Sequence, residues 1–248
     1  YASLFRRLKE VDKMKDDFIS MASHELRAPI TAIRGYLSLF LEDAYGKFDE
    51  KPKQIMKTTF AIATHLGVLV EDLLDVSRIE QGRLKTDNEN LQAEEIIAEI
   101  VDQLKLEAEK KQLAFVYKPP SEPLPKIEVD RARFKQVLIN LCSNAIKYTL
   151  SGSITITSEL RDGDKVEIKV IDTGVGMSAE QREKLFQKFY RIKTDKTAAI
   201  PGTGLGLWIT KQIVELKKGK IFVDSIENVG TQVSVVFPAV KEKIATTG

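Results

Sequence analysis

Apolar residues in the first eighty positions recur in steps of three and four. Leu4, Leu8, Val11, Phe18 and Ala22 mark one stripe, with Lys15 its polar exception. That spacing is a heptad seam and predicts one long helix over 1–43. Tyr45, Gly46 and Lys47 interrupt the pattern. Asp49 or Glu50 then opens a second helix, whose first turn tolerates Pro52. Ile55, Ile62, Leu66, Leu69, Leu73 and Val76 carry its seam to near Gly82. Two long amphipathic helices with a short connection predict an antiparallel hairpin. A hairpin alone covers only part of each seam. A four-helix bundle built from two copies covers the rest, so a homodimer is expected.

The pattern changes after Gly82. Residues 83–92 are polar and read as a linker. Residues 93–111 are helical, with Ile96, Ile97, Ile100, Val101 and Leu104 on one side. Short strands are expected at 113–117, 127–129, 153–159, 165–171, 219–225 and 231–237, and helices at about 131–148, 178–187 and 204–217. This mixture predicts an α/β sandwich, one sheet covered by helices on one face. The expected organisation is a hairpin domain over 1–82, of which 1–17 ends a helix entering from upstream. The linker 83–92, an α/β domain over 93–240 and a tail over 241–248 follow. There are no internal repeats, and the Pro119–Pro125 stretch reads as a local loop.

Composition narrows the classes. Hydrophobic residues make up 43%, enough to bury a core. The 38 basic and 36 acidic residues nearly cancel, which gives no case for a nucleic-acid partner. A single cysteine, Cys142, excludes an intramolecular disulfide and points to a reducing compartment. No apolar run approaches the roughly 18–20 residues of a membrane span. The chain opens inside a helical pattern without a signal peptide, as a piece of a longer protein would. This stretch is therefore expected in the cytoplasm, with any membrane anchor carried by a region upstream.

Several local features carry candidate chemistry. Asn140, Asn144 and Lys147 stand at i, i+4 and i+7 of a predicted helix and share one face. An amide oxygen can ligate Mg²⁺ and an ammonium can pair with phosphate; a solvated face is the plainer reading. Asp172-Thr173-Gly174-Val175-Gly176 follows an apolar strand. Its glycines permit close backbone approach to a ligand, and Asp172 can accept a hydrogen bond from an exocyclic amine. An ordinary strand-ending turn is the alternative. Gly202-Thr203-Gly204-Leu205-Gly206-Leu207 opens a helix whose N–H groups suit phosphate. Phe186 and Phe189 read as packing residues. The polar stretch Ile192–Pro201 reads as a mobile lid.

The order and spacing of these pieces resemble the N, G1, F and G2 boxes of the histidine-kinase ATP-binding domain, a fold shared with the GHKL ATPases. The resemblance implies that Asn144 ligates Mg²⁺ with Asn140 in support. It places Lys147 and Arg191 on the phosphates of ATP, Tyr148 near base or phosphates, and Asp172 on the adenine amine. Gly174, Gly176, Gly202, Thr203, Gly204, Leu205 and Gly206 would shape the pocket. Where the family often has His-Gly-Gly after the last helix, this chain has Lys217-Lys218-Gly219, a peripheral departure with little expected consequence.

The first domain contains Phe18-Ile19-Ser20-Met21-Ala22-Ser23-His24-Glu25-Leu26-Arg27-Ala28-Pro29-Ile30-Thr31. This resembles the H box of the histidine-kinase dimerisation domain. It implies a protein-histidine kinase: His24 takes phosphate from ATP and passes it to an aspartate on an external response-regulator receiver domain. An imidazole with an unperturbed pKa near 6.5 is largely neutral at pH 7 and nucleophilic. Glu25 can hold its tautomer; a solvated carboxylate is the bland alternative. If Ala22 and Glu25 take seam positions, His24 points outward. Pro29 removes the donor for the Glu25 carbonyl and predicts a bend beside His24. Many relatives carry Thr or Asn four residues after the histidine, thought to orient water for dephosphorylating the partner. Ala28 stands there, so weak phosphatase activity is expected. Two other readings stay open: a dimeric ATP-binding scaffold without chemistry, and an ATP-hydrolysing GHKL machine.

Overall fold

A computed structural model of the chain describes residues 2–42, 44, 46–192, 197, 200 and 202–240, with side chains from residue 19 onward except Ser20 and His24. The expected seam at Leu4, Leu8, Val11 and Phe18, the 241–248 tail and most of the 192–201 stretch therefore lie outside the described parts. Two compact units divide the chain, Tyr1–Leu84 and Lys85–Gly248.

The first unit is a helical hairpin of α1 (Ala2–Leu41) and α2 (Glu50–Glu80). Helix α1 runs without interruption through Pro29. The connection reverses at Gly46, whose φ of +100° suits a residue without Cβ, and the Phe40 and Phe48 rings meet edge-on at 5.6 Å. Ser23 and Ile30, seven residues apart, are buried on α1, and Ala63, Val70 and Leu74 on α2. An Arg27–Glu71 ion pair of 2.5 Å links the helices at their surface. The expected seam position of Glu25 is not the one used within this hairpin: Glu25 is exposed and Ala22 half-buried. The small Ser23 takes the interior instead, because residues seven apart share a face and Ile30 anchors that face. On α2, Ile55, Ile62 and Leu66 of the predicted seam are exposed.

The second unit holds a five-stranded sheet in the order β2-β4-β5-β7-β6 and a two-stranded β1–β3 ribbon. The strands are β1 (Asn88–Leu91), β2 (Ala114–Lys118), β3 (Ile127–Asp130), β4 (Ser153–Arg161), β5 (Lys165–Asp172), β6 (Lys220–Ile226) and β7 (Gly230–Pro238). The helices are α3 (Ala93–Lys110), α4 (Arg131–Tyr148), α5 (Ala179–Lys184) and α6 (Gly206–Leu216). Only β2–β4 is parallel in the larger sheet. Ile154 and Ile156 of β4, Ile168 of β5 and Val235 of β7 are buried, as are Ile97, Phe134, Leu138 and Ile213 of the helices. Phe134 of α4 meets Phe237 of β7 edge-on at 5.5 Å. This is the expected α/β sandwich.

One stretch departs from the expectation. Within the predicted linker 83–92, residues Asn88–Leu91 form β1, antiparallel to β3. Only Leu91 of β1 is buried, so no apolar alternation announces it. Side chains fasten it: the Asp87 N–H donates to Asp130 at 2.8 Å, and Lys217 donates to Thr86 at 2.8 Å and to Asn88. Lys217 thus ties the end of α6 to β1 and the segment ahead of it.

Candidate functional site

In the hairpin, His24 lies on α1, flanked by buried Ser23 and exposed Glu25, with exposed Ala28 one turn on. Pro29 and Ile30 follow, the latter packed inward.

In the second unit, three elements bring the predicted residues together. Helix α4 supplies Asn140, Asn144, Lys147 and Tyr148 along its C-terminal half, all partly exposed beside buried Leu141, Cys142, Ala145 and Ile146. Its start is fixed by Asp130, whose side chain accepts the Arg133 N–H at 2.9 Å. Burial pushes the Cys142 thiol up to about 12, which keeps it protonated and removes it as a nucleophile.

The loop after β5 closes on the end of α4. The Tyr148 carbonyl accepts the Val175 N–H at 3.1 Å. Asp172 Oδ1 accepts the Gly174 N–H at 2.8 Å. Burial raises the Asp172 pKa, against the pull of backbone N–H groups from Gly174 and Thr231. On either side of Gly176, the loop is held to the β6–β7 turn by Asn228 N–H on the Val175 carbonyl at 2.7 Å and to β6 by Met177 N–H on Ser225 Oγ at 3.0 Å.

The start of α6 completes the group. Asn140 Nδ2 donates to Thr210 Oγ1 at 2.7 Å, and Asn144 Nδ2 donates to Asn140 Oδ1 at 3.3 Å. A Cβ on Gly206 would stand 2.5 Å from Asn140 Oδ1, so only glycine lets α6 lie this close to α4. Thr203 Oγ1 accepts the Leu205 N–H at 3.0 Å, and Leu205 is buried. Gly204 has φ of +73° and its carbonyl accepts the Phe189 N–H at 2.9 Å. Arg191 lies beside Gly202 and donates to the Ile200 carbonyl.

The predicted packing role holds for one aromatic and not the other. Phe186 is half-buried, with the Lys211 ammonium 5.6 Å from its ring centre. Phe189 is 64% exposed. Its φ of +62° turns the chain outward where it binds Gly204, so helical spacing from Phe186 does not apply. Among the described residues of the predicted lid, Thr197 is buried and donates to the Ile192 carbonyl at 2.8 Å. Thr210 and Ser225 are side chains of this region that the sequence pattern did not single out. Neither belongs to a glycine-rich run or a polar stripe.

The donor set fits a magnesium nucleotide. It presents amide oxygens, an ammonium and a guanidinium, glycine backbone that tolerates close approach, and a carboxylate set into the protein surface.

Residues 14–82 match the family model for the His Kinase A (phospho-acceptor) domain, and residues 129–241 that of the histidine kinase-, DNA gyrase B- and HSP90-like ATPases. A non-motile and phage-resistance protein of Caulobacter vibrioides is 33% identical over 94% of this chain and 28% of its own length. The sensor histidine kinase WalK of Bacillus subtilis is 32% identical over 95% of this chain and 38% of its own. The chain thus spans well under half of these relatives. Among solved structures, full-length ShkA in complex with AMPPNP superposes with a TM-score of 0.74 at 26% identity, covering 91% of this chain and 46% of that one. The catalytic domain of the histidine kinase ThkA is matched over its whole length, at 34% identity, a TM-score of 0.55 and 63% of this chain. With a phosphoacceptor-type hairpin and an ATPase-type α/β unit in one polypeptide, the chain belongs to the histidine kinase family.

Proposed function

We propose that this chain transfers the γ-phosphoryl group of ATP to its own His24 and then to an aspartate on an external receiver domain. The observation that carries the reading is the coexistence of the two matched units. His24 falls inside the phosphoacceptor match, and every nucleotide-site candidate from Asn140 to Gly206 inside the ATPase match.

Asn144, held by Asn140, would ligate Mg²⁺, which when bound neutralises phosphate charge. Lys147 and Arg191 pair with the phosphates, Tyr148 borders the nucleotide, and Asp172 accepts the adenine amine. Gly174, Gly176 and the segment Gly202–Gly206 shape the pocket wall. A neutral ring nitrogen of His24 attacks the γ-phosphorus. The N–P bond forms as the bond to the β,γ-bridging oxygen breaks, and ADP leaves. Glu25 holds the tautomer and stabilises the developing imidazolium. In the second step the N–P bond breaks and an acyl phosphate forms on the acceptor carboxylate. Orientation and charge neutralisation supply most of the rate.

Two copies assemble through the hairpin. The support is the exposed row on α2, with Ile55 at 66% and Ile62 at 63% exposure and Leu66 beside them. Among the described residues no helix is long and apolar enough to cross a membrane.

Incubation with γ-labelled ATP tests the reading. Acid-labile label on the protein is expected, and none in His24→Gln, which still binds ATP. Label retained in His24→Gln at any residue would sink the assignment. Steady phosphate release without labelling would favour an ATPase, and neither activity would favour a scaffold.

A further inference from the structure

We propose that Thr210 is a positioning residue for magnesium binding, acting through a two-amide relay that turns the Asn144 carbonyl oxygen toward the metal. The inference rests on the reading of Asn144 as the Mg²⁺ ligand.

A side-chain amide has one end that holds a cation and one that repels it. An asparagine serves a metal only when its NH₂ end is committed elsewhere. Here the Asn144 NH₂ donates to Asn140 Oδ1 at 3.3 Å. That bond requires Asn140 to present its oxygen toward Asn144, which leaves the Asn140 NH₂ facing α6. There it donates to Thr210 Oγ1 at 2.7 Å. Thr210 is 1% exposed, so water does not replace this acceptor. Gly206 lies one turn earlier on α6 and shares the Thr210 face. It leaves room for Asn140, since a Cβ there would meet Asn140 Oδ1 at 2.5 Å. The first two turns of α6 therefore both seat Asn140 and supply the acceptor that sets its rotation.

Valine at 210 keeps the shape of threonine and lacks the oxygen. The Asn140 NH₂, facing buried position 210, is then left without its partner. The amide relaxes by flipping, and Asn144 turns its own oxygen inward to meet the Asn140 NH₂. Binding of the nucleotide base is untouched by this change; the contribution of the metal is lost.

The experiment compares ADP affinity with Mg²⁺ and with EDTA in the whole chain, for wild type, Thr210→Val, Thr210→Ser and Asn144→Ala. Thr210→Val should lose about tenfold to a hundredfold of the magnesium-dependent gain, as loss of partners behind metal ligands does elsewhere. Its affinity in EDTA should stay near wild type. Thr210→Ser, which retains the oxygen, should keep the gain, and Asn144→Ala should abolish it. In the ligand-free protein, the side-chain amide resonances of Asn140 and Asn144 should move in Thr210→Val and hold in Thr210→Ser. If Thr210→Val does not fold, Thr210→Ala against Thr210→Ser gives the same comparison. An undiminished gain without the Thr210 oxygen overturns the relay, as does an equal loss with and without Mg²⁺. A wild-type chain with no magnesium-dependent gain overturns the underlying functional reading and the relay with it, and the wild-type arm alone identifies that case.

Discussion

Asp172 illustrates how much one residue can report. Burial lifts its pKa above the ordinary 3.8, while backbone N–H groups from Gly174 and Thr231 hold part of that shift back. An ionised carboxylate accepts an adenine amine more strongly than the neutral acid does. Nucleotide affinity should therefore fall as pH drops toward the raised pKa, and should do so at a higher pH than for an exposed aspartate. Stability moves the other way. The native state binds this proton more tightly than the unfolded chain, so the contribution of Asp172 to stability is largest at low pH and declines as pH rises through the folded pKa. Calorimetric titration with ADP and thermal melts, each run from the ordinary aspartate range up to neutrality, should show the opposed trends in wild type. Asp172→Asn should flatten both. It should also weaken adenine nucleotides by about tenfold to a hundredfold, the range for a hydrogen bond to a charged group. An unchanged affinity would place the base elsewhere.

At the level of elements, the long periodic segments were legible from sequence. The Ile96-Ile97-Ile100-Leu104 stripe gave α3, and the alternation of Val166, Ile168 and Val170 with Glu167 and Lys169 gave β5, because burial on one face imposes a period along the chain. Strand β1 was not legible, since Asn88, Glu89 and Asn90 are all exposed and its pairing is made by backbone and by Asp130 and Lys217. Phe189 was misread because its positive φ breaks the helical spacing assumed from Phe186. The stripe Asn140–Asn144–Lys147 was visible, and Thr210, seventy residues away, was not, because a tertiary hydrogen bond leaves no local period. Helix α1 carries a prediction of its own. Ala28 is exposed one turn after His24, on the same face, and has no hydrogen-bonding group to orient water. Thr31, two turns on, is too far along the helix to substitute. Ala28→Thr should speed decay of a phosphorylated receiver partner, in Mg²⁺ and ADP, by about tenfold or more. Equal, rapid decay for both proteins would show that water is held by another group.

At the scale of the whole molecule, the two units differ in how complete they are. The α/β unit buries Ile127, Phe134, Ile146, Ile168 and Phe237 within one chain. Among its described residues, α1 buries few large side chains and leaves Met21, Leu26, Ile33 and Tyr36 exposed along it. Lone apolar side chains at a surface are ordinary; rows of them on both helices of a hairpin are not. Light scattering of the whole chain at micromolar concentration should give twice the monomer mass, and substituting Ile55 and Ile62 by Lys should return it to the monomer. A stable monomer in the wild type would contradict assembly through this face.

The exposed α2 row has a further thermodynamic consequence. A unit whose core is finished only by a second copy obeys mass action, so its unfolding midpoint depends on dilution, whereas a self-contained core melts at the same temperature at any concentration. Tenfold dilution should lower the hairpin transition by about 3–6 °C and leave the α/β transition in place, giving two calorimetric peaks that separate as the sample is thinned. The concentration of the chain then sets how much of the helix that bears His24 is folded.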